Sequence, residues 1–210
     1  PASPPPAPTR PCGSSMSKAV TVTFASEGIR EIQLYVTSKW AKKTASQVRK
    51  LTGADVVINA SLFLTSGWKP CCCVKANGKV LRNDGYAYRG LAWNNGDDHF
   101  TEALSPEMWK WDNFLSCVML YHEGKALPLS CTPDVARSAG RTAVIGTKDG
   151  AVHLWCVAEG KANQTPWELQ KTVKTKYPTV VWALMLDGGG SVQLSQEGSE
   201  YIYSTRRVHN

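Results

Sequence analysis

A chain of 210 residues with 42% hydrophobic and 20% charged residues is long enough for one domain with a substantial core, and too apolar to be a disordered tract. No stretch reaches the roughly 18–20 apolar residues of a membrane helix, so a spanning segment is not expected. The net charge of +7 favours anionic ligands, but the cations are scattered and form no dense nucleic-acid footprint.

Residues 1–15 hold six of the twelve prolines and a single charge, Arg10, without the apolar core of a signal peptide. Met16-Ser17-Lys18 reads as a native start. The first fifteen residues are therefore taken as a disordered or expression-derived leader, and 16–210 as one domain. Val20 to Phe24 and Ile32 to Val36 alternate like half-buried strands. Lys42 to Leu51 has the pattern of a helix stopped by Gly53, and Ala54 to Ile58 that of a buried strand. Hairpins are expected at Val74–Leu81 around Asn77-Gly78, at Leu115–Leu129 around Glu123-Gly124, and at Arg141–Val157 around Asp149-Gly150. Arg82 to Trp111, rich in Gly, Asn, Asp and aromatics, yields no assignment. Thr165-Pro166-Trp167-Glu168 combines an N-cap, a first-turn proline and a capping-box glutamate, so a helix should run to about Tyr177. Glu200 to Tyr203 has the pattern of a last strand. Hairpins outnumber helices, which gives an α+β class: a largely antiparallel or mixed sheet of hairpins with a few packing helices.

Seven cysteines, three of them adjacent (Cys71-Cys72-Cys73), make a poor disulfide framework and lack the paired spacing of a zinc site. They read as the reduced thiols of a cytoplasmic protein. Most of the eight tryptophans are expected in the core, and the four histidines have no ligand spacing.

The chain is organised around Leu186-Asp187-Gly188-Gly189-Gly190-Ser191. Val180 to Leu186 is apolar without alternation, so it should be a strand covered on both faces. A carboxylate, three glycines and a hydroxyl follow. Successive glycine N–H groups can form a concave anion site with Asp187 and Ser191 at its rim. Equally, the glycines can be a wide hairpin turn with Val192-Gln193-Leu194 as the return strand.

Several segments together resemble the phosphodiester glycosidases. Ile58-Asn59-Ala60-Ser61-Leu62-Phe63 is similar to their Asn-Gly-Gly-Phe-Phe segment, with Ala60-Ser61 in place of the glycine pair. Arg141-Thr142-Ala143 resembles their Arg-Thr-Ala segment, and Trp167-Glu168-Leu169 the helix before the last motif. Leu186 to Ser191 matches Leu-Asp-Gly-Gly-Gly-Ser, and Arg206 to Asn210 resembles the Arg-Pro-Val-Pro-Asn tail. The order and spacing hold over most of Ala54 to Asn210. The resemblance implies a glycosidase, of a family with bacterial and phage members, that cleaves a sugar-1-phosphodiester at the anomeric carbon. The phosphate leaving group is a weak base and hardly needs a general acid, so one carboxylate suffices. Asp187 is the candidate for that nucleophile or base. Arg141 would clamp the phosphate, because a planar guanidinium matches two of its oxygens. Gly188, Gly189, Gly190, Ser191 and Thr142 would line the phosphate, Asn59 would orient the sugar, and Arg206 would add a second cation. The alternative is a non-catalytic module that binds or sequesters a phosphorylated sugar or nucleotide. In either case the partner is a small anionic ligand, not nucleic acid or membrane. No cofactor is called for, and a divalent ion near Asp187 is left open. Asn59, Arg141 and Asp187 are each expected at a strand end, converging on one face.

Overall fold

The computed structural model describes residues 19–35, 43–64, 67, 69–197 and 199–202. In chain order its strands are β1 (Val20–Phe24), β2 (Val56–Ile58), β3 (Phe63–Leu64), β4 (Lys69–Pro70), β5 (Val74–Ala76), β6 (Lys79–Arg82), β7 (Arg89–Trp93) and β8 (Thr101–Leu104). They continue as β9 (Asn113–Ser116), β10 (Val118–His122), β11 (Lys125–Ala126), β12 (Arg141–Thr147), β13 (Val152–Val157), β14 (Val180–Met185), β15 (Leu194–Gln196) and β16 (Ser199–Ile202). The α-helices are α1 (Ala45–Thr52), the single turn α2 (Pro133–Ala136) and α3 (Pro166–Lys176).

Two antiparallel sheets form the body, one of six strands in the order β1-β13-β12-β14-β10-β11 and one of five in the order β6-β5-β9-β7-β8. Smaller sheets, β16-β15-β2 and β3-β4, close the sides. Local turn chemistry sets the hairpins. Asn77 and Gly78 (φ 49° and 79°) and Glu123 and Gly124 (φ 49° and 75°) occupy the left-handed pairs that tight hairpins require. Both longer helices begin at a capping box, Thr44 with Gln47 and Thr165 with Glu168, in which each end satisfies an orphan donor of the other.

The molecule has three layers. One cluster lies between the two large sheets, with Val144, Leu154, Leu184 and Leu186 facing Val74, Leu91, Trp93 and Leu115. A second lies on the other face of the six-stranded sheet, where Ala143, Ile145, Ala183 and Met185 meet Leu169 and Val173 of α3. This explains the apolar run that leads to Asp187: β14 is central in its sheet and covered on both sides. The pairing is antiparallel, and burial comes from the second sheet and α3. No described helix is long and apolar enough to cross a membrane.

The fold is α+β, with corrections in detail. Residues 32–35 form no strand; the Ile32 N–H donates to Asp97 O (3.2 Å) and the Ile32 carbonyl accepts from Trp93 Nε1 (2.9 Å). Their alternation instead marks Ile32 and Leu34 packing on the core with no sheet partner among the described residues, which do not include Val36. The first helix begins at Ala45 rather than Lys42, after the Thr44 cap. The unassigned 82–111 region contains β7, β8 and a 3-10 turn over Ser105–Lys110. The segment after the glycines does not return alongside β14. Its strand β15 leaves the sheet and pairs with β2 (Leu194 with Ile58, Gln196 with Val56), so the glycines are not a hairpin turn. The leader and Arg206 lie outside the described residues.

Candidate active site

The site is built where β12 and β14 end together. Ala143 pairs with Met185, and the chains stay side by side beyond that point. The Leu186 N–H donates to Thr142 O (2.8 Å) and the Gly189 N–H to Gly140 O (2.9 Å). The second bond is one residue out of step with the register of the ladder, so the strands bulge here, and Arg141 lies beside Gly188 and within reach of the Asp187 charge. Residues 46 positions apart in sequence thus come together where the two strands end.

Asn59 arrives from the end of β2 and fastens Asp187. Its Nδ2 donates to the Asp187 carbonyl (2.8 Å), and its Oδ1 accepts from Thr142 Oγ1 (2.8 Å) and from the Gln193 N–H (3.1 Å). The Asp187 N–H donates to Ala60 O (3.0 Å), so both backbone groups of the aspartate are tied to one segment. Asn59 and Thr142 are 1% and 0% exposed. A buried amide whose two ends are both engaged fixes the position of its neighbours.

Arg141 is held as firmly. It is 3% exposed, and its guanidinium meets backbone carbonyls: Nε donates to Gln164 O (2.7 Å), and Nη2 donates to Val135 O (3.0 Å) and Arg137 O. Nη1 faces the glycines, since a Cβ placed on Gly188 would lie 3.3 Å from it. Desolvation, and then Arg137, lower the pKa of Arg141, while Cys131, Glu159 and Asp187 pull it back up. A guanidinium starts so high that it stays charged at neutral pH. The result is a preorganised buried cation with one edge directed at the motif.

The glycines serve close approach. A Cβ on Gly188 would also fall 2.5 Å from Gly140 O, and one on Gly189 (φ 61°) would fall 2.7 Å from Arg137 Nη2. The N–H groups of Gly188, Gly189 and Ser191 donate within the fold, to Asp187 Oδ1 (2.8 Å), Gly140 O (2.9 Å) and Gly188 O (3.2 Å). Ser191 itself is buried.

Two charged residues here were not anticipated. Arg137 lies over Gly189 and pairs with Glu159 at 3.6 Å, with both side chains partly exposed. Glu159 also accepts from the Gly140 N–H. A faint signal existed, because Arg137 stands four residues before Arg141 and Glu159 two residues past β13. Near the motif are Cys71, which feels the Asp187 charge, Cys131, which feels Arg141, and Tyr86, which feels Cys131. Burial raises the pKa of all three, so these groups are uncharged at neutral pH. His99, His122 and His153 contact Asp98, Glu102 and the threonines Thr23 and Thr147. Among the described residues no group of three or more His, Cys, Asp or Glu is placed to hold a metal ion.

The family model for phosphodiester glycosidases matches residues 52–210. Among solved structures, the chain is similar to the catalytic domain of zebrafish N-acetylglucosamine-1-phosphodiester alpha-N-acetylglucosaminidase, auto-inhibited by its pro-peptide. The TM-score is 0.62 at 17% identity, over 92% of this chain and 78% of that one. A hypothetical protein from Synechocystis matches with a TM-score of 0.62 at 12% identity, over 92% of this chain and 56% of the other. At these identities the likeness is one of fold. No curated protein matches by sequence.

Proposed function

Because this chain belongs to the phosphodiester glycosidase family, we propose that it hydrolyses a sugar-1-phosphodiester, breaking the bond between the anomeric carbon and the phosphate oxygen. The observation that carries this reading is the buried Arg141 guanidinium, held beside Gly188 and within reach of the Asp187 charge where β12 and β14 end. The phosphate sits against Arg141, whose bound carbonyls leave it little entropy to lose, with Arg137 as a more exposed second cation. Gly188, Gly189, Gly190 and Ser191 form the floor beside it, and the absence of Cβ atoms lets the ligand approach the backbone. Asp187 acts at the anomeric carbon, either attacking it or activating water, as positive charge develops on the sugar. The departing phosphate monoester is stabilised by the two guanidinium groups, which takes the place of a proton donor. Asn59 and Thr142 act as positioning residues that fix the Asp187 backbone. The ligand is a small sugar phosphate, and the protein works in a reducing compartment such as the cytoplasm.

The test offers sugar-1-phosphodiesters of several aglycones and follows release of free sugar and phosphate monoester. Wild-type release that is lost in Asp187→Asn supports hydrolysis at this site. Tight binding with the ligand recovered intact would replace it with a binding module.

A further inference from the structure

The five-stranded sheet carries a pair of cysteines that the site does not use. Val74 of β5 pairs with Leu115 of β9, and the Ser116 N–H donates to Cys73 O (3.0 Å). Cys72 and Cys117 are the outer neighbours of that bonded pair, one in the bend before β5 and one in the link from β9 to β10. Side-chain burial agrees: Cys72, Val74, Leu115 and Cys117 belong to the cluster between the large sheets, whereas Cys73 and Phe114 belong to a separate cluster on the other face. The Ser116 N–H donates to Cys73 O, and the Cys73 N–H donates to Ser116 Oγ (2.8 Å), which holds the two strands together beside the cysteines. Cα atoms facing one another across a ladder stand about 4.5–5.5 Å apart, within the roughly 4.4–6.8 Å that a disulfide spans. Both cysteines are essentially fully buried, and Cys117 is the strongest influence on the titration of the Cys72 thiol.

We infer that Cys72 and Cys117 are a preformed disulfide site, a dithiol that a disulfide-class oxidant such as oxidised glutathione converts to a cross-strand bond. One cysteine thiolate attacks a glutathione sulfur and expels one glutathione thiolate. The second cysteine then displaces the other glutathione from the mixed disulfide. The protein loses two S–H hydrogens and two electrons, and two molecules of reduced glutathione result. The partner thiol of Cys117, and then burial, push the Cys72 pKa strongly upward, which disfavours the attacking thiolate in the closed sheet. The exchange therefore belongs to folding or to opening of the sheet, and the finished bond is shielded from reductant. In a reducing compartment the pair rests as two thiols. The bond would tie β5 to β9 across residues 73–116, next to Cys71, which feels the Asp187 charge. Oxidation would thus stiffen one wall of the candidate site.

The experiment refolds the full, reduced chain in a glutathione redox buffer, alkylates the remaining thiols and digests it without reduction. A cross-link from Cys72 to Cys117, assigned by fragmentation across Cys71-Cys72-Cys73, is expected. The oxidised protein should melt at least about 5 °C above its reduced form, because the bond restricts the unfolded chain. The triple variant Cys71→Ser, Cys73→Ser, Cys131→Ser should behave alike. In Cys117→Ala the link and the reductant-sensitive part of Tm should both vanish, a comparison made within one variant and independent of its overall stability. Alkylation of both Cys72 and Cys117 in cooperatively melting wild type overturns the inference, as does a bond that joins Cys117 to Cys71 or Cys131.

Discussion

The β12–β14 ladder has two ends, and they handle charge in opposite ways. At the turn end, Thr147, Asp149, Ala151 and His153 satisfy one another within seven residues. Thr147 Oγ1 donates to Asp149 Oδ1 (2.6 Å) and contacts His153 Nε2 (3.1 Å), and the Ala151 N–H also donates to Asp149 Oδ1 (3.2 Å). At the other end, Arg141 is met by carbonyls from residues 135, 137 and 164, and Asp187 is fastened through residues 59 and 60. A self-satisfied turn is a stability device, whereas Arg141, anchored by distant backbone, directs one edge of its guanidinium at the glycines. Substitutions at the two ends should therefore separate activity from stability.

The largest effect is expected for Asp187→Asn. Turnover should fall roughly a hundred- to ten-thousandfold, the scale for losing a positioned acid–base group. Phosphate-ligand affinity should hold or improve, because a negative charge has been removed. Kinetics and ligand titration on the same folded variant check this, and full activity would sink the assignment. Arg141→Lys keeps the charge but replaces the planar fork that reaches three carbonyls and the glycines from separate nitrogens with a single donor nitrogen. Turnover should drop about a hundredfold and Tm by several degrees, measured together by assay and thermal melt. Gly188→Ala forces a Cβ against Gly140 O and should cost about 1–3 kcal/mol of stability, read by denaturant titration. Arg137→Ala, at an exposed pair, should raise KM by roughly 3- to 10-fold with Tm nearly unchanged. The smallest effect belongs to the turn. Hydrogen bonds from Thr147 and the Ala151 N–H hold the Asp149 pKa below its ordinary 3.8. A depressed carboxylate pKa contributes stability above the unfolded value, and that contribution is lost as pH falls through the folded value. The small Tm gap between wild type and Asp149→Asn should thus persist at neutral pH, close below the ordinary carboxylate range, and leave turnover untouched.

The same contrast explains how much was legible in the sequence. Hairpins at Asn77-Gly78, Glu123-Gly124 and Asp149-Gly150, and the helix from Thr165, announce themselves because turn and cap chemistry is local. Ile32 to Tyr35 misleads because alternation records burial, and a strand also needs a partner. In 82–111 a strand is hidden by Gly90, where a Cβ would meet Leu115 O at 2.3 Å, so the glycine permits close packing of β7 on β9. Arg141 and Asp187 were found through their motifs. Arg137 and Glu159 were not, because their places at the site depend on pairings that no short window contains. The glycines were singled out too, but their N–H groups were expected to be open, whereas those of Gly188 and Gly189, like that of Ser191, donate within the fold.

The amide of Asn59 carries a consequence for synthesis. It joins partners 83, 128 and 134 positions away. Its strand β2 pairs with β15, near residue 195. A ribosome that has delivered Asn59 must supply more than a hundred further residues before that amide has its full set of partners. Throughout that interval β2 presents an unpaired apolar edge, a template for association with other chains. Assembly of the site is therefore among the last events of folding, and loops of this length make it slow. Substitutions such as Asn59→Ala should show their cost in the yield of soluble protein before they show it in the catalytic rate of the molecules that fold.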